Sequence, residues 1–254
     1  MNSNVSLTKY HLANAYHQLG IISNQLGNFA DAKYNLQQAI SLKIELEDNH
    51  SLAFTYHELG NLALQMSEYE EAKRNYREAL KLKIEFGDRK SQASTYNNLG
   101  GAALKSGDYE EAWLNLQEAL KLKIEFGDRK SQASTFTSLG SISLQLKEHD
   151  KARQYLQQAL AINIEFGDLH AQASIYHWLG SVAADLEEFQ EAKNNFFQAL
   201  NIWYEFKDEY NIQTFSCPSL LHLYQATQDQ SILETIAKVL DVTVEELKQA
   251  LKST

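Results

Sequence analysis

The sequence predicts an all-α protein made of about five helical hairpins in succession, followed by a C-terminal capping segment. Its 254 residues include one proline and eleven glycines, while Ala, Leu, Gln, Glu and Lys are abundant, which favours helix. A Leu-Gly pair recurs every 40 residues without an insertion. Residues 78–95 and 118–135 are identical, a duplication that a modular stack tolerates easily.

Each repeat is predicted to contain two helices separated by capping signals. In the third repeat, SQASTYNNLGGAALKSG forms the first helix and YEEAWLNLQEALKLKIEF the second. Between them, Gly107 can adopt the left-handed conformation that ends a helix, and Asp108 can cap the next one. The same aspartate signal opens each following repeat, at Asp48, Asp88, Asp128, Asp168 and Asp208. These signals predict repeats at approximately 8–47, 48–87, 88–127, 128–167 and 168–207, within an array of residues 1–208.

Small residues recur where the two helices of a repeat are expected to approach closely. A larger side chain at these positions would overpack the contact, at a typical cost of about 1–3 kcal/mol. They are Gly20, Gly60, Gly100, Gly140 and Gly180 in the first helix, and Ala32, Ala72, Ala112, Ala152, Ala192, Ala39, Ala79, Ala119, Ala159 and Ala199 in the second.

The tail, residues 209–254, departs from the repeat and is predicted to be a degenerate repeat with capping helices. Residues 209–227 read as a first helix that Pro218 kinks or restarts, because proline cannot donate a backbone hydrogen bond. SILETIAKVL and VTVEELKQAL then predict two short helices, the second opened by a capping box of Thr243 and Glu246. A stack needs a polar-backed lid over its last apolar face, and this segment provides one.

Within each repeat an aromatic residue, Leu-Gly, a residue just after the turn that is aromatic in four of the five repeats, and two spaced alanines follow in register over residues 10–206. This order resembles the tetratricopeptide repeat (TPR) family. The 40-residue length and the EFGDR junction are similar to Pins/LGN-type adaptors, and the unit also resembles kinesin light chains and bacterial TPR arrays, including sensor arrays fused to signalling ATPases. The resemblance implies a right-handed α-α superhelix, a TPR solenoid, whose first helices line a concave groove.

The resemblance also implies which side chains face that groove. They are polar, small at the middle of the groove and mildly basic, which suits a peptide or partner protein carrying acidic groups. We expect the groove histidines to be solvated, so that their protonation near pH 6 makes binding pH-sensitive. The predicted groove residues are Asn14, His17, Asn24, His50, Phe54, His57, Asn61, Lys90, Ser94, Asn97, Lys130, Ser134, Thr137, Ser141, His170, Ser174, His177 and Ser181.

The composition argues against several other classes of function. The net charge of −10 and a pI near 5.3 make nucleic acid and membrane surfaces poor partners, and no apolar run approaches a membrane span. The single Cys217 excludes an internal disulfide framework, and with no secretory signal this indicates the cytoplasm.

No catalytic or metal-binding constellation emerges from the sequence. Histidines seven residues apart lie about 10 Å apart along a helix, too far to share a metal ion. The glutamates Glu45, Glu85, Glu125, Glu165 and Glu205 lie one repeat apart, so we expect structural ion pairs rather than acid–base catalysis. We therefore expect no enzymatic activity and no cofactor.

The function predicted is a scaffold or adaptor that binds a peptide or protein in its groove as a monomer. Two alternatives stay open at this stage. The array could be the ligand-sensing part of a bacterial regulator, which would require a closed apolar pocket. It could also self-associate through its end faces as a structural oligomer.

Overall fold

The computed structural model describes residues 3–252, and within that range every regular element is helical. The first three hairpins are α1 (Ser3–Gln25) with α2 (Phe29–Glu45), α3 (Asn49–Gln65) with α4 (Tyr69–Glu85), and α5 (Arg89–Ser106) with α6 (Tyr109–Glu125). They are followed by α7 (Arg129–Gln145), α8 (His149–Glu165), α9 (Leu169–Asp185) and α10 (Phe189–Glu205). The tail contains α11 (Glu209–Asn211), a π-helical turn (Ile212–Ser216), α12 (Cys217–Thr227), α13 (Gln230–Leu240) and α14 (Val244–Lys252).

The predicted caps set the helix boundaries. Gly107 has a φ of 82° after α5, and the Asp108 carboxylate accepts a hydrogen bond from the Glu111 N–H at 3.1 Å. The same N-cap bond is present at Asp48, Asp88, Asp168 and Asp208. Because these bonds satisfy N–H groups that a helix start leaves without partners, they fix where each helix begins.

The predicted close approaches between paired helices are confirmed. A Cβ atom added to Gly100 would lie 2.7 Å from Leu116 Cγ, and one added to Gly60 would lie 2.6 Å from Tyr76 Cε1. The two alanine series of the second helices are fully buried. Glycine in the first helix therefore lets the larger side chain of the second helix pack directly on its backbone.

By its internal contacts the chain divides into two compact units, Met1–Arg129 and Lys130–Thr254. In the first unit α1 packs on α2, α3 on α4 and α5 on α6, with Leu36, Leu62, Tyr76 and Leu99 among the buried residues. The second unit contains α9 packed on α10 and the tail helices. The predicted division into an array of residues 1–208 and a tail of 209–254 stays a prediction.

The tail helices pack on α10 as expected for a lid. Trp203 of α10, Leu220 of α12 and Ile232 and Ile236 of α13 belong to one buried apolar cluster. The helix over residues 209–227 is interrupted, as predicted. The interruption is the π-helical turn Ile212–Ser216, and Pro218 follows it as the second residue of α12. The capping box is confirmed, since Glu246 accepts from the Thr243 N–H at 2.7 Å and Thr243 Oγ1 accepts from the Glu246 N–H at 3.1 Å.

Candidate peptide-binding groove

The first helices carry the predicted groove residues, and in the structure all of these except His177 are exposed or half-buried. In the second unit, Lys130, Ser134 and Thr137 of α7 and Ser174 of α9 line one cavity of about 440 Å³. Its lining also includes Asn163, a buried residue of α8. The structure therefore brings four of the predicted residues together around an open cavity.

A corresponding cavity lies in the first unit. It has a volume of about 620 Å³ and is bordered by Tyr10 of α1, His50 and Ser51 of α3, and Asp48 before α3. His50 is also in ring contact with Phe54 and Phe86, with centroid distances of 5.2 and 4.9 Å. The N-terminal ends of successive first helices thus leave space between them in both units.

The middle of the first unit's groove is a connected polar network. The Asn61 side-chain oxygen accepts from the Tyr76 hydroxyl at 2.8 Å and from the Asn98 amide at 3.0 Å. Asn98 also lies 3.4 Å from His57 Nε2, and the Asn61 amide donates to Glu58 at 3.1 Å. The predicted set of groove residues included His57 and Asn61 but not Asn98, although the Asn97-Asn98 pair resembles the Asn-Asn pair of kinesin light chain repeats.

Buried lysines contact the repeat position that His17, His57 and Asn97 share, either through a threonine or directly. Lys43 donates to Thr55 Oγ1 at 2.7 Å, and His17 Nδ1 lies 3.2 Å from the same oxygen. One repeat later, Lys83 donates to Thr95 Oγ1 at 2.8 Å, with His57 Nδ1 at 3.2 Å from it.

In the third repeat the lysine bonds the groove residue directly, because Lys123 donates to the Asn97 side-chain oxygen at 2.8 Å. Only 2% of Lys43 and 1% of Lys83 is exposed. Burial lowers the pKa of Lys43 and of Lys123 to about 8, against the opposing effect of Asp48 and Asp128. With a pKa of about 8, Lys43 and Lys123 are mostly protonated at neutral pH and place positive charge beneath the first helices.

The sequence placed Lys43, Lys83 and Lys123 beside the repeated glutamates on the same helices, but it did not indicate that they contact groove residues. A usable signal was present, since Lys43, Lys83 and Lys123 recur with the same 40-residue period as Thr55, Thr95 and Thr135. The expected structural ion pairs of the glutamates are present for Glu45, with Lys9 at 2.6 Å, and for Glu125, with Arg89 at 2.7 Å.

The expectation of solvated histidines that titrate near pH 6 is wrong for this series. The pKa of His17, His57 and His177 is lowered to about 4, chiefly by burial, and for the first two the charges of Lys43 and Lys83 contribute to this shift. Only 7% of His177 is exposed, so this residue does not present its ring to the groove. All three rings are neutral at physiological pH.

Cys217 and the possible metal-binding side chains of the described residues can be assessed for reactivity from their surroundings. Cys217 is buried, and burial raises the pKa of its thiol, which disfavours the nucleophilic thiolate. Among the described residues, no group of three or more His, Cys, Asp or Glu side chains is arranged to hold a metal ion. Within residues 3–252, no helix combines the length and apolar character that crossing a bilayer requires.

Successive helical hairpins of constant length define a class of helical repeat proteins, and sequence comparison identifies the family. A tetratricopeptide repeat model matches residues 11–85 and 131–205, more than half of the chain, and a second tetratricopeptide repeat model matches residues 92–128. The chain belongs to the tetratricopeptide repeat family. No curated protein matches it significantly.

Solved structures share the fold at low sequence identity. BtubC from P. vanneervenii is 21% identical with a TM-score of 0.67, and the match covers 80% of this chain and 91% of that one. The apo form of RapI is 20% identical with a TM-score of 0.76, covering 89% and 83%. The STAND signal transduction ATPase with a tetratricopeptide repeat sensor from Pyrococcus horikoshii is 19% identical with a TM-score of 0.75, covering 95% of this chain and 36% of that one.

Proposed function

We propose that this protein is a non-enzymatic interaction module that binds a peptide or a segment of a partner protein along its first helices. The observation that carries the proposal is the 440 Å³ cavity, because four independently predicted groove residues line it. Tetratricopeptide repeats generally serve as scaffolds for protein interactions, which supports this class of partner.

The chemistry of the groove favours a partner with acidic groups. Lys90 and Lys130 are exposed, and Lys43, Lys83 and Lys123 lie beneath the groove with neutral hydrogen-bond partners among their contacts. These five lysines place positive charge at or beneath the first helices of a chain whose net charge is −10, and Asp168 adds one carboxylate to the lining of the 440 Å³ cavity. An acidic peptide would be attracted to this surface, and salt would weaken its binding.

A peptide-array screen with the full chain identifies a bound peptide. Substitutions in the cavity then test where it binds, provided that they leave the contacts within the fold intact. Ser134 is exposed, and its hydroxyl bonds only the carbonyl of Ser131 in the preceding turn, at 3.0 Å. Ser134→Tyr should obstruct the cavity, and Lys130→Glu should repel acidic peptides. We expect each substitution to raise the dissociation constant of a bound peptide at least tenfold, as measured by fluorescence anisotropy.

Lys238→Glu on α13 is the matched control, because it changes charge equally on an exposed residue outside the cavity. Peptides that bind all three variants and the parent chain equally would show that the groove is not the binding surface. Alanine at His57 or Asn97 is less informative, since both side chains support buried lysines or threonines.

The alternative of a ligand-sensing pocket gains less support, because the cavities along the first helices are open rather than closed. Self-association has a specific observation in its favour. Leu12, Leu19, Ile22 and Leu26 of α1 are all exposed. Their counterparts Leu52, Leu59 and Leu62 in the next repeat are buried. A second copy could cover this face of α1, and sedimentation velocity over a range of concentrations tests the idea.

A further inference from the structure

The fifth hairpin contains a small cavity that the groove proposal does not use. Its volume is about 80 Å³, and it is lined by Ser174, His177, Trp178, Trp203, Asn211 and Phe215. His177 and Trp203 are buried, whereas the other four residues are only partly buried and form its rim. Ser174 also lines the 440 Å³ groove cavity, so the two spaces share a wall.

Two buried polar atoms on residues that line this cavity have no hydrogen-bond partner among the described residues. They are His177 Nδ1 and Trp203 Nε1, on side chains that are 7% and 1% exposed. A buried donor or acceptor without a partner destabilises the folded state, and native proteins satisfy nearly all such groups. A polar group from outside the chain that reached them would remove this destabilisation.

Comparison with the earlier repeats explains how these atoms lost their partners. Trp203 occupies the position of Lys43 and Lys83, and Phe215 occupies that of Thr55 and Thr95. In the first two repeats the threonine hydroxyl lies 3.2 Å from the histidine Nδ1, and in the fifth that hydroxyl is absent. The position that elsewhere forms an internal polar triad has become an aromatic cavity with free hydrogen-bonding atoms.

The backbone around the cavity is also unusual. Phe215 lies in the π-helical turn Ile212–Ser216, and Asn211 immediately precedes it. Single π-helical turns inside helices occur frequently at functional sites. Here the turn sets Phe215 against His177 and Trp203, with ring centroids 5.4 and 6.4 Å apart.

From this arrangement we propose that the cavity binds a neutral carboxamide, the side chain of Asn or Gln in a groove-bound partner. Trp203 Nε1–H can only donate, so the ligand must provide an acceptor oxygen. None of the six lining residues is Lys or Arg, and a carboxylate would be buried without a counter-ion. A carboxamide supplies the acceptor oxygen and also N–H groups for the neutral histidine ring.

This proposal rests on the groove proposal for its biological partner, but a small probe tests the cavity independently. Propionamide and propionate have the same number of heavy atoms and differ in charge and donor groups. The chain has three tryptophans, so ¹H–¹⁵N spectra of the full protein show each indole N–H separately. We expect propionamide to shift the Trp203 indole signal saturably, with an affinity at least tenfold higher than that of propionate.

Two variants distinguish binding from a general solvent effect. His177→Phe removes the unpaired nitrogen and should abolish the saturable shift while Trp203 remains as the reporter. Ser174→Val changes the partly buried rim and leaves the two core side chains in place, so it should fold and should weaken propionamide binding. It keeps the proposal testable if His177→Phe fails to fold. The thermal unfolding midpoint shows whether each variant is folded.

Several outcomes would overturn the proposal. They are a linear, non-saturating response, equal responses to both probes, or a shift that both variants retain. In those cases the cavity would hold ordered water only. Loss of peptide binding in the Ser134→Tyr variant with propionamide binding retained would separate the groove from the cavity, so failure of one proposal is distinguishable from failure of the other.

Discussion

At the scale of single residues, Gly100 and Gly101 are neighbours in α5 with different surroundings. A Cβ on Gly100 would lie 2.7 Å from Leu116 Cγ, whereas a Cβ on Gly101 would meet nothing within 4 Å. Gly100→Ala should therefore destabilise the fold by about 1–3 kcal/mol through overpacking. Gly101→Ala should stabilise it by about 0.5–1 kcal/mol, because alanine is the better helix former.

Urea denaturation of the two variants measures this difference, and each serves as the control for the other. Equal effects of the same sign would show that helix propensity rather than packing decides both positions. The predicted contrast could not be obtained from the sequence pattern alone, which identified Gly100 by its repetition but said nothing of the space around Gly101.

His57 provides a prediction about pH. Burial lowers the pKa of its ring to about 4, below the 6.5 expected in the unfolded chain. As the pH falls from 6.5 towards 4, the unfolded state takes up a proton that the folded state does not, so the folded state loses stability in that range. Above pH 6.5 both states are neutral and this contribution is fully present.

His57→Asn should reduce that loss by about 1–3 kcal/mol between pH 7 and 4, after allowance for solvent screening. Asparagine is a suitable replacement, because Asn97 occupies the same repeat position and accepts a bond from Lys123. Urea midpoints at pH 4, 5.5 and 7 check the prediction, with His11→Asn at an exposed site of α1 as the control. A parallel decline in the parent chain and the His57 variant would contradict it.

The polar side chains show most clearly what the sequence could not predict. Polar residues at one face of a helix fit equally well as groove lining or as hydrogen-bond partners for a buried charge. The 40-residue period cannot separate the two, because both are repeated. The contacts of Lys43 and of His17 with Thr55 in the structure show that these polar residues are hydrogen-bond partners of a buried charge.

At the scale of elements, the turns between helices differ in how easily their residues adopt a left-handed backbone. Ser67, between α3 and α4, has a φ of 60°, and Gly107 at the equivalent turn has a φ of 82°. A residue with a Cβ pays a conformational cost there that glycine does not. Ser67→Gly should therefore stabilise the fold by about 1 kcal/mol, and Gly107→Ser should destabilise it by a similar amount.

Thermal and urea unfolding of both variants test this pair. Steric contacts do not confuse the result, since a Cβ at Gly107 meets nothing within 4 Å and Ser67 is exposed. Opposite shifts of similar size are expected. Two shifts of the same sign would mean that the turn conformation is not what limits stability here.

Helix positions were the most predictable elements, because caps and helical periodicity are local signals. Asp108 and the Thr243–Glu246 capping box lie where the sequence places them. The π-helical turn was not predictable in the same way. Proline at position 218 explains an interruption, but the structure has Pro218 inside the first turn of α12 and the irregular backbone before it.

At the scale of the whole molecule, the uncovered face of α1 concerns how copies of the chain meet. Leu19 is 49% exposed, whereas its counterpart Leu59 is 5% exposed because the first hairpin covers it. Contiguous apolar surface of this kind commonly marks an interaction site. Two copies that place their α1 helices together would bury the α1 side chains whose counterparts in the second repeat are already buried.

We expect reversible dimerisation that Leu19→Lys weakens at least tenfold, equivalent to about 1.4 kcal/mol or more. The variant should keep the stability of the monomer, because the leucine is already half exposed. Leu114→Lys on α6 is the matched control, since Leu114 is 61% exposed and lies outside α1. Sedimentation velocity from micromolar to millimolar concentration measures the association constants. A chain that stays monomeric throughout, or equal weakening by both substitutions, would remove self-association through α1 as a function and leave the proposed binding of a peptide along the first helices to be tested by itself.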